Sequence, residues 1–174
     1  SQYICGHNII KHDLKYIRRV LNDLSFDPSK IIDTLYLSPL LFPKRPYHAL
    51  VKDDKLQTED KNNPLNDSKK AKDLFYDEVA AFQQLSKPLQ KIYYKLLWHK
   101  PEFKAFFTFL DIKEITWDVE SLIREEFHND ICREANLTKL IEASPIALAY
   151  SLALINTKSR LSITPPWVIK NYPD

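Results

Sequence analysis

A carboxylate delivered just behind the end of a β-strand is a ready ligand for a hard cation. The stretch Gly6-His7-Asn8-Ile9-Ile10-Lys11-His12-Asp13-Leu14 puts one there. Tyr3, Ile4 and Cys5 read as a short apolar strand that runs into the only glycine of the chain. Asn8 then opens a helix, and Asp13 follows just over one turn later. Ligand and metal sites of open α/β sheets gather at this C-terminal strand edge. Two more residues have suitable chemistry. His48 carries an imidazole whose unperturbed pKa of ~6.5 suits proton transfer near neutrality. Asp67 precedes an apolar periodic segment, with the cations Lys69, Lys70 and Lys72 close behind as possible phosphate contacts. Each has an ordinary alternative. A carboxylate in a first helical turn complements the helix dipole, as Asp13 would. Asp67 reads equally as an N-cap, and His48 follows a proline-rich loop that suits a surface histidine.

Other combinations carry less. Asp118-Val119-Glu120 has the letters of a metal-binding pair, but an acidic residue soon after Thr116 and Asp118 reads as a helix start. His7 and His12 have no cysteine or histidine partner at zinc spacing and read as structural or exposed. Cys5 and Cys132 make no disulfide framework, which points to a reducing, cytoplasmic setting. Trp98, Trp117, Trp167 and the phenylalanines of 103–109 could stack bases, although at helical spacing they read as core.

The elements that must position these groups divide near Leu85. Before it the chain reads strand, helix, strand, long loop, helix. The first helix spans Ile9–Leu24, with Ile10, Leu14, Ile17, Leu21 and Leu24 at three- and four-residue steps. Ser25–Lys30 returns the chain to a β-rich run, Ile31–Ser38. Pro39, Pro43 and Pro46 make Ser38–Tyr47 a poor helix. Residues 52–64 are charged and read as a solvated insertion. A helix then runs from Asp67 to Leu85, with Ala71, Leu74, Phe75, Val79 and Phe82 on one face. After residue 86 helices are expected at Pro88–Lys100, Pro101–Leu110, Asp118–Phe127, Asn129–Glu134, Leu137–Ala143 and Pro145–Ile155, without the alternation of a second α/β domain.

Composition fits a globular chain. Of its 174 residues, 28% are charged and 44% hydrophobic, and 25 basic against 23 acidic residues leave a net charge of +2. That total neither requires nor excludes nucleic acid, because a local patch is hidden in it. No apolar run approaches the ~20 residues that cross a bilayer. Ordinary usage would give about a dozen glycines. A chain so poor in glycine is expected to be mostly helix, with its 11 prolines and its Asn and Asp residues supplying the breaks.

Three stretches, taken in order, carry a resemblance. Gly6–Leu14, Ile31-Ile32-Asp33-Thr34-Leu35-Tyr36-Leu37-Ser38 and Asn62-Asn63-Pro64-Leu65-Asn66-Asp67-Ser68-Lys69-Lys70-Ala71 resemble successive motifs of the histidine-containing DEDD 3′–5′ exonucleases. The form most similar is the one attached to bacterial RecQ-like DNA helicases. The resemblance covers residues 2–86, about half of the chain, and Ser162–Pro173 looks like the stretch that joins such a domain to its helicase. It implies two-metal phosphodiester hydrolysis with Mg²⁺ or Mn²⁺, hard ions that take carboxylate oxygens. Carried over residue by residue, Asp13 and Asp67 are metal ligands and His48 is the general base. Asn8 orients the helix start or the terminal nucleotide, and Lys69 and Lys70 contact DNA. Asp53 competes with Asp67, because His48-x4-Asp53 reproduces the usual spacing. Asp67 is preferred since an apolar helix face follows it directly.

The family's first motif, Asp-x-Glu on a strand, has no counterpart here. The chain begins at Ser1 and contains no methionine. It is therefore expected to be an internal fragment, lacking two of the four metal-binding carboxylates and inactive by itself. The expected architecture is α/β: a truncated RNase H-like exonuclease fold over 1–86, then a helical extension or connector over 87–174, with helix dominating. Expected partners are the single-stranded 3′ end of DNA and a helicase domain in the same polypeptide, with no membrane. The rival expectation is a non-catalytic module of a helicase that docks nucleic acid or protein.

Overall fold

The structure, a computed structural model, describes residues 2–23, 26–50, 64–112 and 118–158. The insertion expected at 52–64 lies almost wholly outside these residues, as do Asp53, Trp117 and the connector-like 162–173. The fold is a helix-rich α/β arrangement. β1 (Ile4–Gly6) and β2 (Ile31–Asp33) pair in parallel, with Ile4 opposite Ile31, Cys5 opposite Ile32 and Gly6 opposite Asp33. Parallel neighbours need a crossover. A π-helical turn (Ile9–Asp13) and α1 (Leu14–Asp23) supply it.

Gly6 is required by a close approach. A Cβ added there would meet the Ile9 Cβ at 2.9 Å. Asn8 takes the left-handed conformation that reverses the chain, with φ 60°. α1 then lays Leu14, Ile17 and Leu21 on a small cluster with Ile9 and Ile31. Burial of this stripe, rather than intrinsic propensity, holds so short a helix.

The β-rich reading of Ile31–Ser38 holds only for its first three residues. From Thr34 to Leu41 the chain is helical (α2), and Pro39 lies within it. Two causes override the local signal. The Asp33 carboxylate accepts the Leu35 N–H at 3.0 Å, which starts the helix. Every residue of α2 is also buried, so its apolar letters show neither strand nor helix periodicity.

The remaining helices are α3 (Pro64–Gln84), α4 (Lys87–Leu97), α5 (Pro101–Phe109), α6 (Val119–Glu126), α7 (Leu137–Ala143) and α8 (Pro145–Asn156). Their starts are coded locally. Ser86, Asp118 and Asn136 accept N–H bonds from the first turns of α4, α6 and α7, and prolines open α4, α5 and α8. Asp118 thus serves α6, while Glu120 binds Arg124 at 2.8 Å and accepts the Thr138 hydroxyl at 2.6 Å. The helix expected at 129–134 is a series of turns instead, with Arg124 donating to the carbonyls of Arg133 and Ala135.

One core joins the stretches on either side of residue 86. It runs from Ile32, Tyr36 and Leu40 through Phe82, Ile92 and Leu97 to Phe103, Phe106 and Tyr150. The buried Tyr150 hydroxyl donates to the Tyr36 carbonyl at 2.8 Å and ties α8 to α2. Phe106 meets Phe75, Phe82 and Phe107 edge-on, at ring separations of 5.5–6.5 Å. Phe106→Ala is expected to cost about 3–5 kcal/mol in urea unfolding. Removing the exposed Tyr47 ring should change stability by less than about 0.5 kcal/mol.

Candidate functional site

At the C-terminal edge of the two strands, a set of polar side chains is folded inward. Asp33, Thr34, Ser38, His48 and Glu78 are all buried. The Asp33 carboxylate is the most heavily bonded. Oδ1 accepts the backbone N–H of Asn8 at 2.8 Å as well as that of Leu35, and Oδ2 accepts that of Ile10 at 3.0 Å. One side chain thereby caps α2 and anchors the π-helical turn. The cap expected from Asn8 is supplied by Asp33 instead, and the Asn8 side chain makes no cap bond. Burial raises the Asp33 pKa, with the N–H groups of Ile10, Leu35 and Asn8 opposing the shift and the Asp13 charge adding to it.

Thr34 Oγ1 donates to the Gly6 carbonyl at 3.3 Å and lies 2.9 Å from His7 Nδ1. That pair shares one proton, donated by whichever partner the His7 tautomer dictates, and a contact with the His48 backbone favours the protonated ring. His48 Nδ1 lies 2.8 Å from Ser38 Oγ, and its Nε2 is buried with no partner among the described residues. Burial holds both imidazoles down to about 4, Arg45 and His7 adding to the effect on His48. Both are therefore neutral at pH 7. Glu78, on α3, is completely buried, and neither carboxyl oxygen has a partner among the described residues. Burial pushes its pKa well above the usual carboxylate range, and the Asp33 charge pushes the same way. Burial, then Glu78 and Asp33, lift the neighbouring Cys5 thiol to about 12.

The residues singled out from sequence are distributed unevenly around this cluster. Asp13 ends the π-helical turn, half exposed, with Oδ1 2.9 Å from His12 Nδ1. Asp67 stands exposed in the first turn of α3, followed by exposed Lys69 and half-buried Lys70. His48 belongs to the buried cluster, not to the surface. A separate cavity of about 340 Å³, lined by Leu40, Phe42, Leu85 and Tyr93 with Lys44 and Arg45, touches none of them. Among the described residues no group of three or more His, Cys, Asp or Glu side chains is placed to hold a metal ion. The carboxylates suit Mg²⁺ or Mn²⁺ in kind. In number and grouping the described residues do not make up a two-ion centre.

Sequence reasoning passed over Asp33 and Glu78, although both left a trace. Glu78 falls on the stripe Ala71, Phe75, Phe82 of α3, a charge on a buried face. Asp33 interrupts the apolar run Ile31, Ile32, Leu35. No family model matches the sequence, and neither the curated proteins nor the solved structures gave a significant match.

Two opposed pH dependences follow. Glu78 has a raised folded-state pKa, so its contribution to stability is lost as pH rises above the ordinary glutamate range. His7 and His48 have lowered values, so theirs is lost as pH falls from ~6.5 through about 4. Glu78→Gln should stabilise the fold by about 1–3 kcal/mol at pH 8. The gain should shrink toward pH 5, as read by urea unfolding at both values. Asp33→Ala leaves three backbone donors unsatisfied and should cost about 3 kcal/mol or more at pH 7.

Proposed function

We propose that this chain is the part of a 3′–5′ DNA exonuclease domain, RNase H-like and helicase-linked, that supplies the second and third motifs and the proton acceptor. The observation that carries most weight is the setting of His48. Its Nδ1 is held on Ser38 Oγ at 2.8 Å, and its Nε2 has no partner among the described residues. When Nδ1–H donates to Ser38, Nε2 presents a lone pair. That is the form a general base must have before it takes a proton from water.

The resemblance adds Asp13 and Asp67 as carboxylate ligands and Asn8, Lys69 and Lys70 as DNA contacts. Divalent ions, when bound, would supply Lewis-acid stabilisation of the displaced oxygen. In this reading a further strand bearing the first motif provides the carboxylates that complete the centre. The second reading, a non-catalytic helicase module that docks nucleic acid or protein, is favoured by the lack of a three-ligand group among the described residues.

Calorimetric titration of Mn²⁺ into this chain tests the choice. On the exonuclease reading the chain binds Mn²⁺, and Asp13→Asn and Asp67→Asn each weaken binding by roughly tenfold or more, at least the loss seen when a supporting group of a metal site is removed. Binding untouched by both substitutions removes the exonuclease assignment and leaves the docking module; no binding makes the chain inert as an enzyme and turns attention to its helical, docking half.

A further inference from the structure

α1 is sharply two-sided. Leu14, Ile17 and Leu21 face the interior cluster with Ile9 and Ile31. Lys15, Arg18, Arg19 and Asn22 recur at three- and four-residue steps on the opposite side, and all are exposed. Neither Arg18 nor Arg19 has an ion-pair partner among the described residues, and Asp23 is the only acidic residue of the helix. Tyr16 lies on the shoulder of this stripe, 69% exposed, with the Lys15 ammonium 4.7 Å from its ring centre. Such cations amount to more than the whole net charge of +2 carried by the chain.

We propose that the outer face of α1 binds single-stranded nucleic acid, with Lys15, Arg18 and Arg19 on successive phosphates and Tyr16 under a base. Charge complementarity selects a polyanion. An exposed ring beside a row of cations is the pairing that holds unpaired strands, since every base offers a π-face. An anionic membrane suits the helix poorly. A surface-bound amphipathic helix inserts its apolar side, and that side of α1 is already spent on the interior. Duplex DNA would use the cations but leave Tyr16 with no unstacked base.

The inference rests on the nucleic-acid part of the reading above, not on its metal site, so binding is measured in EDTA. The probe is a fluorescent oligothymidylate, followed by anisotropy across a salt series. Wild type should bind, with affinity falling as salt rises. The triple substitution Lys15→Gln, Arg18→Gln, Arg19→Gln should weaken binding at least tenfold. It should also flatten the slope of log K against log salt by roughly 2, since each phosphate neutralised on a single strand contributes about 0.7. Tyr16→Ala should weaken binding roughly tenfold and leave the slope unchanged. Unaltered far-ultraviolet dichroism and melting temperature verify that the variants fold. Lys15→Arg, which keeps the charge, should bind as wild type does. Absence of wild-type binding overturns the proposal, as does indifference to the triple substitution and to Tyr16→Ala. Tighter binding to duplex, or to vesicles of anionic phospholipid, overturns it too. Failure of the Mn²⁺ result with this binding intact removes the exonuclease reading alone.

Discussion

The Asp33 carboxylate is the constraint on which the first half of the molecule turns. Two helical segments begin beside it, and each begins with backbone N–H groups that its own turns cannot satisfy. Asp33 takes Leu35 N–H from one and Asn8 and Ile10 N–H from the other. No local cap does this, because the Asn8 side chain makes no cap bond. The register of the sheet follows from the same contact, since Gly6 must stand opposite Asp33 for the turn to reach the carboxylate. Close packing of Gly6 on Ile9 fits that geometry and leaves no room for a side chain.

A carboxylate so bonded can tolerate burial, while Glu78 nearby has no such compensation. The contrast separates two ways of hiding an acid. Asp33 keeps N–H donors that favour its charged form, so burial and hydrogen bonding pull its pKa in opposite directions. Glu78 has burial and the like charges of Asp33 and Asp77 all acting against ionisation, and Arg45 alone acts the other way. With His48 buried and His7 half-buried as neutral rings, the interior at the strand edge is polar yet carries little charge besides that of Asp33. Unpaired atoms in such a place are costly in a purely structural core, and among the described residues most of them lie beside this one strand edge.

Sequence periodicity made much of the helical framework legible. α1, α3, α4, α5, α6, α7 and α8 all fall where apolar spacing or a capping residue puts them, and the scarcity of glycine fits the prevalence of helix. Left-handed positions are taken instead by Asn8, Asp111 and Lys158. α2 was not legible, because a helix buried on every side has no polar face to set a period. The clamp was not legible either. Its partners lie 23 to 25 residues apart along the chain and meet only through the parallel pairing. Asp13, Asp67 and His48 could be picked out by type and neighbourhood, but spacing carries no information on depth. His48 proved buried, whereas Asp67 stands in solvent.

The interior and the outer surface are linked through the turn that Asp33 holds. Ile9–Asp13 is wound as a π-helix, in which each residue adds less rotation than in an α-helix. The phase with which α1 starts therefore depends on that turn. Because Leu14, Ile17 and Leu21 must meet Ile9 and Ile31, only one rotation of α1 buries its apolar stripe. The same rotation turns Lys15, Arg18 and Arg19 outward. An arrangement that satisfies three buried N–H groups thus also decides where the positive charge of the helix is displayed, and no separate interaction on the surface is needed to aim it.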